Sequence, residues 1–315
     1  MNDQTLFTTI FQSAEYVKNY LKKCYANKCL SSTSELAFQN SYSFIYYIKM
    51  GNSFFQQGSA SPMSIQPVLF FYGLSHWLKG VLLTADPNYP ATTQVLAHGI
   101  STRKRKKQSY RFLSDEIKVQ KEGFFPYVSQ TCFDAKQLTG EKYKMRHLLM
   151  AIPELLPMFA SLEQEQPLLN AEKTDGCLKV SSVLLKRLNM SPKHYERMVK
   201  DKTGVTLKCK ADDDNENKAV MSLYLEKDTA DYFPLTTAMD QTHYIPAVLP
   251  LYWRLPEILA HFLLLYNLSM ICRYETEWWG ELLYSLSSND RPFIESFLNC
   301  TKEKVPSLIQ KLFFP

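Results

Sequence analysis

Two strongly apolar stretches that lie far apart in the chain constrain the fold most. They are PVLFFYGLSHWLKGVLL, which begins at Pro67, and ILAHFLLLYNLSMIC, which begins at Ile258. Each contains a histidine and a further polar residue, and each is shorter than the ~20 apolar residues that cross a bilayer. We therefore interpret both as buried helices and expect no membrane partner. Because neither helix can bury its apolar surface alone, we predict a mainly α fold with an aromatic-rich helical core built from both ends of the chain.

The spacing of apolar residues along the chain predicts three regions. Residues 1–163 form an N-terminal helical region, and residues 246–315 form C-terminal helices that pack on it. Between them, residues 164–245 change to short strand-like segments around one helix, which Ser191-Pro192 would open. This middle region is predicted to be a small α+β insertion.

Two local predictions concern the N-terminal region. The segment EIKVQKEGFFPYV alternates apolar and polar residues, turns at Glu122-Gly123 and continues with aromatic residues, which predicts a β-hairpin near 115–128. Further along, apolar residues at helical spacing predict one helix over 141–162, with a kink at Pro153.

Composition narrows the class of protein. Hydrophobic residues make up 45% and aromatic residues 13% of the 315 residues, which is typical of an ordinary folded chain. The net charge of +5 is too small to imply nucleic-acid binding by itself. The seven cysteines form no C-x-x-C pair, which favours reduced thiols in a cytoplasmic protein and argues against zinc or disulfides. The N-terminus lacks the pattern of a secretory signal. We expect no metal and no cofactor.

A basic run is the most conspicuous candidate binding site. The sequence HGISTRKRKK contains one histidine and five consecutive cations, namely His98, Arg103, Lys104, Arg105, Lys106 and Lys107. Arginine and lysine side chains supply most of the sequence-independent contacts to the phosphates of a nucleic acid or nucleotide. A solvated surface loop is the more common role of such a run, and its composition does not exclude a nuclear-import signal.

A polar stripe interrupts the first apolar helix. Tyr72, Ser75, His76 and Lys79 fall within about 60° of one another on a helical wheel. Polar side chains in a core helix must be paired or solvated. We favour the exposed edge of the helix for this stripe. The alternative is a cleft that also receives His98, which would form a two-histidine acid/base site.

Two arginines offer weaker candidate sites. Arg254 and His261 have the arginine-then-histidine spacing of some RNA-cleaving helical proteins, although Pro256 would leave Arg254 in the turn before the helix. A buried core histidine is the more common role for a residue such as His261. Arg273 shares a helix face with apolar residues, and Glu277, four residues later, is its expected partner in a structural ion pair.

Four segments resemble the YaaC-like family of bacterial proteins, and the resemblance covers essentially the whole chain. They are SYSFIYYIKMGNSFF, PVLFFYGLSHWLKGVLLTADPNYP, HGISTRKRKKQSYRFL with SDEIKVQKEGFFPY, and LSMICRYETEWWGELL. The resemblance implies a cytoplasmic bacterial protein, and it does not indicate any particular activity. A YGLSHWLKG-type helix followed by an HG turn is also remotely similar to the helical nucleotide-binding superfamily HEPN, which implies RNA or nucleotide binding.

These observations support three functional hypotheses. The first is a protein that binds RNA or a phosphorylated nucleotide through the basic run. The second is a non-catalytic interaction module that docks a protein partner on an aromatic surface. The third and least supported is a ribonuclease in which His261 and Arg254 share one phosphate.

Overall fold

The computed structural model describes residues 8–102, 110–136, 139–174, 176–211, 220–227, 233–285 and 288–314. The α-helices are α1 (Ala14–Ala26), α2 (Thr33–Ala60), α3 (Gln66–Ala85), α4 (Phe124–Phe133), α5 (Met145–Met150), α6 (Leu156–Met158), α7 (Val183–Leu188), α8 (Pro192–Thr203), α9 (Glu257–Tyr274), α10 (Thr276–Tyr284) and α11 (Asp290–Phe313). The strands are β1 (Ile100–Thr102), β2 (Glu116–Val119), β3 (Lys142–Lys144), β4 (Leu168–Thr174), β5 (Cys177–Ser181), β6 (Leu207–Ala211), β7 (Val220–Leu225), β8 (Thr236–Thr237) and β9 (His243–Pro246). The predicted mainly α fold with a small β component is confirmed.

The chain divides into two compact units. The first combines Met1–Met145 with His261–Pro315, and the second is Arg146–Ala260. The predicted insertion at 164–245 lies within the second unit. The first unit is therefore built from both ends of the chain.

Large aromatic side chains fill the core of the first unit. Helices α2 and α3 pack along each other, and the C-terminal helix α11 packs against α3. Fully buried rings come from both ends of the chain, among them Phe11, Phe44, Phe70, Phe71, Phe112, Phe125, Phe262 and Phe293. Burying a phenylalanine side chain contributes about 1.5–3 kcal/mol, so these rings account for much of the stabilisation of this unit.

Helix α3 is the one described helix that is long and apolar enough to cross a bilayer. It begins with Pro67 in its first turn, as the sequence predicted. Its mean hydropathy is 1.3, and 61% of that apolar window is buried inside the structure. The core helix of a globular protein meets the same length and composition test, so this finding is weak evidence of a membrane span.

The predicted hairpin near 115–128 is wrong in its second strand. Residues 116–119 do form β2, but β2 pairs antiparallel with β1 and β3, and 124–133 form helix α4. Gly123, with a φ of +130°, ends the extended segment. The chain then buries Phe124, Phe125 and Val128, which lie at helical rather than alternating spacing.

The single helix predicted over 141–162 is also wrong. The segment begins as strand β3, because Lys142–Lys144 pair with β2, and becomes helical only at Met145. It breaks at Ile152, which has an extended backbone, one residue before the predicted kink at Pro153. Short helical turns follow through Glu163.

The second unit contains a six-stranded antiparallel sheet with the order β6-β7-β5-β4-β9-β8. The predicted helix start is confirmed, since the Ser191 side chain accepts a hydrogen bond from the His194 amide and Pro192 follows it. The sheet and helices α7 and α8 bury one apolar core, centred on Tyr195, Leu223 and Ile245.

Candidate functional site

Four basic side chains meet four aromatic rings in the first unit, three of them half-buried and one, that of Tyr266, buried. We call this group the basic-aromatic cluster; it consists of His76, Lys79, His98 and Arg273 with the rings of Tyr47, Phe54, Tyr72 and Tyr266. Helix α2 supplies two of the rings, α3 supplies three residues and α9 supplies two. His98 comes from the segment just before β1.

His76 and Lys79 lie against rings of the neighbouring helix α2. The His76 ring stacks on Phe54, with centroids 5.7 Å apart and an interplanar angle of 11°. The Lys79 ammonium lies 5.7 Å from the centre of the Tyr47 ring. Burial lowers the pKa of His76, and the charge of Lys79 lowers it further. Burial also lowers the pKa of the Lys79 ammonium.

His98 is held by a close contact between two loops. The amides of Phe124 and Phe125, at the start of α4, donate to the carbonyls of Ala97 and His98 at 2.7 and 3.0 Å. The His98 ring packs edge-on against Tyr266, 5.4 Å between centroids. Burial is the largest cause of its lowered pKa, followed by the charges of Arg273 and then Lys79. His98 therefore senses both cations of the cluster.

Arg273 contacts Tyr72, and the predicted ion pair with Glu277 is wrong. Its guanidinium donates to the Tyr72 hydroxyl at 3.1 Å and lies 5.7 Å from the centre of that ring. Helix α9 ends at Tyr274, and α10 begins at Thr276. The four-residue helical spacing that the ion pair needs is broken there, and Glu277 is exposed.

The polar stripe on α3 is not an exposed helix edge, so the favoured interpretation is corrected. Ser75 is buried and donates to the Phe71 carbonyl at 2.7 Å, while Tyr72, His76 and Lys79 are half-buried. The physical reason is that α2 packs alongside this face of α3. The role of a cleft shared with His98 stays a prediction.

The charge of the cluster is not neutralised by protein carboxylates in the part of the chain that the structure describes. There, no carboxylate oxygen lies within 4.0 Å of Lys79 or of Arg273. The buried Nδ1 atom of His76 likewise has no hydrogen-bond partner among the described residues. Two half-buried cations, Lys79 and Arg273, beside a histidine whose Nδ1 atom is unpaired are typical of a site for an anion, although Arg273 already donates to Tyr72, Ser269 and Met270.

The basic run Arg103–Lys107 lies outside the described residues, but both of its flanks are well anchored. On one side, Thr102 ends β1, which pairs with β2. On the other side, the Tyr110 ring stacks on Trp278, 5.0 Å between centroids, and its hydroxyl donates to Asp115 at 2.7 Å. In the sequence, the run begins five residues after His98, which belongs to the cluster.

The weak catalytic candidates occupy different units. His261 has no exposed surface, stacks on Phe297 and shares a 2.9 Å hydrogen bond with the Thr301 hydroxyl, all within the first unit. This burial supports the role of a core histidine. Arg254, in the second unit, precedes the first turn of α9. Their convergence on one phosphate stays a prediction.

Across the described ranges, no three His, Cys, Asp or Glu side chains lie close enough together to hold a metal ion.

The sequence did not indicate four members of the basic-aromatic cluster as binding-site residues. Tyr47, Phe54 and Tyr266 were not among the predicted site residues, and Arg273 was predicted to form a structural ion pair. Tyr47 and Phe54 lie seven residues apart on α2, away from its buried stripe, which is the one signal in the sequence that could have indicated them.

Comparison with known proteins gives one match. No curated protein and no solved structure matches the chain. The family model described as YaaC-like Protein matches residues 9–313, which covers both units. The remoter similarity to HEPN proteins gains no support from these comparisons. The chain belongs to the YaaC-like family.

Proposed function

We propose that this protein binds a phosphorylated ligand, either RNA or a phosphorylated nucleotide, at the basic-aromatic cluster. The observation that carries the proposal is the convergence of four basic side chains without a neutralising carboxylate among the described residues. The basic run, which begins five residues after His98 in the sequence, would add phosphate contacts for a longer ligand.

The electrostatics of the cluster favour an anion. Burial holds the pKa values of His76, His98 and Lys79 below their usual ranges, because partly desolvated cations are costly without a counter-charge. A phosphate group provides that counter-charge and several hydrogen-bond acceptors. The fork-shaped guanidinium of Arg273 suits such a group particularly well.

The rings of the cluster favour a ligand that carries a base. Tyr47, Phe54 and Tyr72 are half-buried, so each keeps part of its ring accessible. Bases stack on such aromatic faces, and each stacking contact contributes about 1–3 kcal/mol. A ribonuclease has weaker support, because the buried His261 has no surface with which to reach a substrate.

The proposal is tested by removing the two cations that are not histidines. We expect the double variant Lys79→Ala with Arg273→Ala to bind a fluorescein-labelled 12-nucleotide RNA, or ATP, at least tenfold more weakly than the unchanged protein, corresponding to two lost charge-assisted contacts. Fluorescence anisotropy measures the RNA affinity and isothermal titration calorimetry measures the ATP affinity.

A matched control removes the same charge elsewhere. Lys173 and Lys179 are exposed on the sheet of the second unit, and replacing both by alanine should change the affinity by no more than about twofold. Separately, replacing Arg103 to Lys107 by alanine should flatten the dependence of RNA affinity on salt. If the cluster variant and the unchanged protein bind with equal affinity, the cluster is not the binding site. If the salt dependence is unchanged, the basic run does not contact the phosphates of the RNA.

RNA binding should strengthen as the pH falls from 8 to 6. In the free protein, His76 and His98 have lowered pKa values and are neutral near pH 7. A bound phosphodiester raises those pKa values, so binding takes up protons and is favoured at lower pH. RNA without a terminal phosphate is the suitable probe, because its phosphodiesters do not titrate in this range.

Calorimetry in two buffers of different ionisation enthalpy measures the proton uptake directly. The uptake should be positive at pH 6.5 and should largely vanish in the double variant His76→Gln with His98→Gln. Proton release on binding, or an affinity independent of pH, would contradict the assignment of these histidines.

A further inference from the structure

Helix α2 carries an exposed aromatic stripe on the side away from the core. Phe38, Tyr42 and Tyr46 recur every four residues and are 61%, 53% and 59% exposed, and Met50 continues the row at 44%. Residues at this spacing lie one above another on a helix surface. The stripe therefore extends over about three helical turns, as a row that drifts by about 40° around the helix at each step.

The size of this stripe is comparable to that of the largest apolar patch on a typical monomeric protein. If each of these four side chains offers roughly 200 Å², the stripe exposes roughly 400 Å² of mostly apolar surface. The largest apolar patch on a typical monomer, about 300–600 Å², is often a functional surface. The Lys18 ammonium lies 4.8 Å from the centre of the Phe38 ring and borders the stripe at that end.

The charges that bracket the stripe are arranged symmetrically. Glu35 lies seven residues before Tyr42, and Lys49 lies seven residues after it; both are exposed. Glu35 and Lys49 are fourteen residues apart, which is about 21 Å along the helix axis. Their directions around the axis differ by about 40°, so both lie on the same face as Tyr42. Opposite charges therefore stand at equal distances on either side of Tyr42.

We infer that this face of α2 is the interface of a symmetric dimer, in which a second copy of the chain packs its own α2 antiparallel across a two-fold axis at Tyr42. That axis places Tyr42 against Tyr42 of the second copy and Phe38 against Tyr46. It also places Glu35 opposite Lys49 at both ends of the contact. An isologous interface needs this self-complementarity, whereas an unrelated partner does not.

The size of the stripe sets the strength of the dimer. Its roughly 400 Å² per copy is about half of the ~800 Å² per partner in a standard stable interface. The dimer is therefore weak and reversible, with a dissociation constant in the micromolar range.

Sedimentation velocity of the full chain tests this inference. Between about 1 and about 200 µM, the weight-average sedimentation coefficient should rise from the monomer value towards the dimer value. Lys49→Glu should weaken dimerisation about tenfold or more, because two pairs of glutamates then face each other. Glu35→Lys alone should have a similar effect.

The decisive variant carries both changes. Glu35→Lys together with Lys49→Glu restores the opposite charges under the two-fold axis, and its dissociation constant should return to within about threefold of the unchanged protein. Tyr42→Asp should abolish dimerisation, whereas Tyr284→Asp, at a tyrosine 73% exposed on α10, should not. A chain that stays monomeric over the whole range, or a double variant as weak as either single one, overturns the inference.

Discussion

Replacing Gly123 by alanine should destabilise the first unit by about 3 kcal/mol or more, the range reached when backbone strain and steric overlap act together. An added Cβ would lie 2.2 Å from the Cα and 2.4 Å from the backbone nitrogen of Gly99. The φ of Gly123 is +130°, which side-chain-bearing residues rarely adopt. Neither backbone can move without breaking the hydrogen bonds that hold His98.

Gly280→Ala is the matched control for this prediction. Gly280 lies inside α10, and an added Cβ there would meet no atom within 4 Å. Alanine should therefore stabilise the protein by up to about 1 kcal/mol through its higher helix propensity. Urea titration followed by tryptophan fluorescence measures both variants, because Trp77, Trp278 and Trp279 report on the first unit. Equal midpoints for the two variants would contradict the predicted close contact.

Asp290→Ala should cost about 3 kcal/mol, because it leaves two backbone amides without their acceptor. The buried Asp290 carboxylate accepts hydrogen bonds from the amides of Phe112 at 3.0 Å and Leu113 at 3.2 Å. These amides follow the basic run, so the variant should also loosen its C-terminal anchor. The same urea titration measures the stability, and hydrogen exchange of residues 112–119 measures the loosening.

Glu295→Ala provides the control on the same helix. Glu295 forms an exposed ion pair with Arg291 at 3.9 Å, and such pairs contribute between zero and about 1 kcal/mol. A loss of stability in Asp290→Ala no larger than in Glu295→Ala would show that the carboxylate does not anchor this segment.

These two structural contacts also bear on the proposed function. Gly99 and Gly123 position His98 at one side of the basic run, and Asp290 holds the chain on its other side. If the cluster and the run act together on one ligand, Asp290→Ala should weaken RNA binding more than ATP binding. ATP is short enough to be held by the cluster alone.

Several features of this protein followed from the order of its residues. Apolar residues at a spacing of 3.6 predicted the buried helices α3 and α9, and they gave the mainly α class. Pro67 and Ser191-Pro192 marked helix starts correctly, because capping and first-turn preferences depend only on neighbouring residues. The burial of His261 also followed from its place in an apolar helix.

Only the tertiary structure decided which residues meet. Residues 124–133 form a helix because α4 buries Phe124, Phe125 and Val128 on one face, whereas the aromatic residues after the turn at Glu122-Gly123 had indicated a second strand. Arg273 contacts Tyr72, 201 residues earlier in the chain, instead of the nearby Glu277. Helix propensity and capping act over a few residues, whereas side-chain partners depend on how distant segments pack. The basic-aromatic cluster therefore exists only in the folded chain.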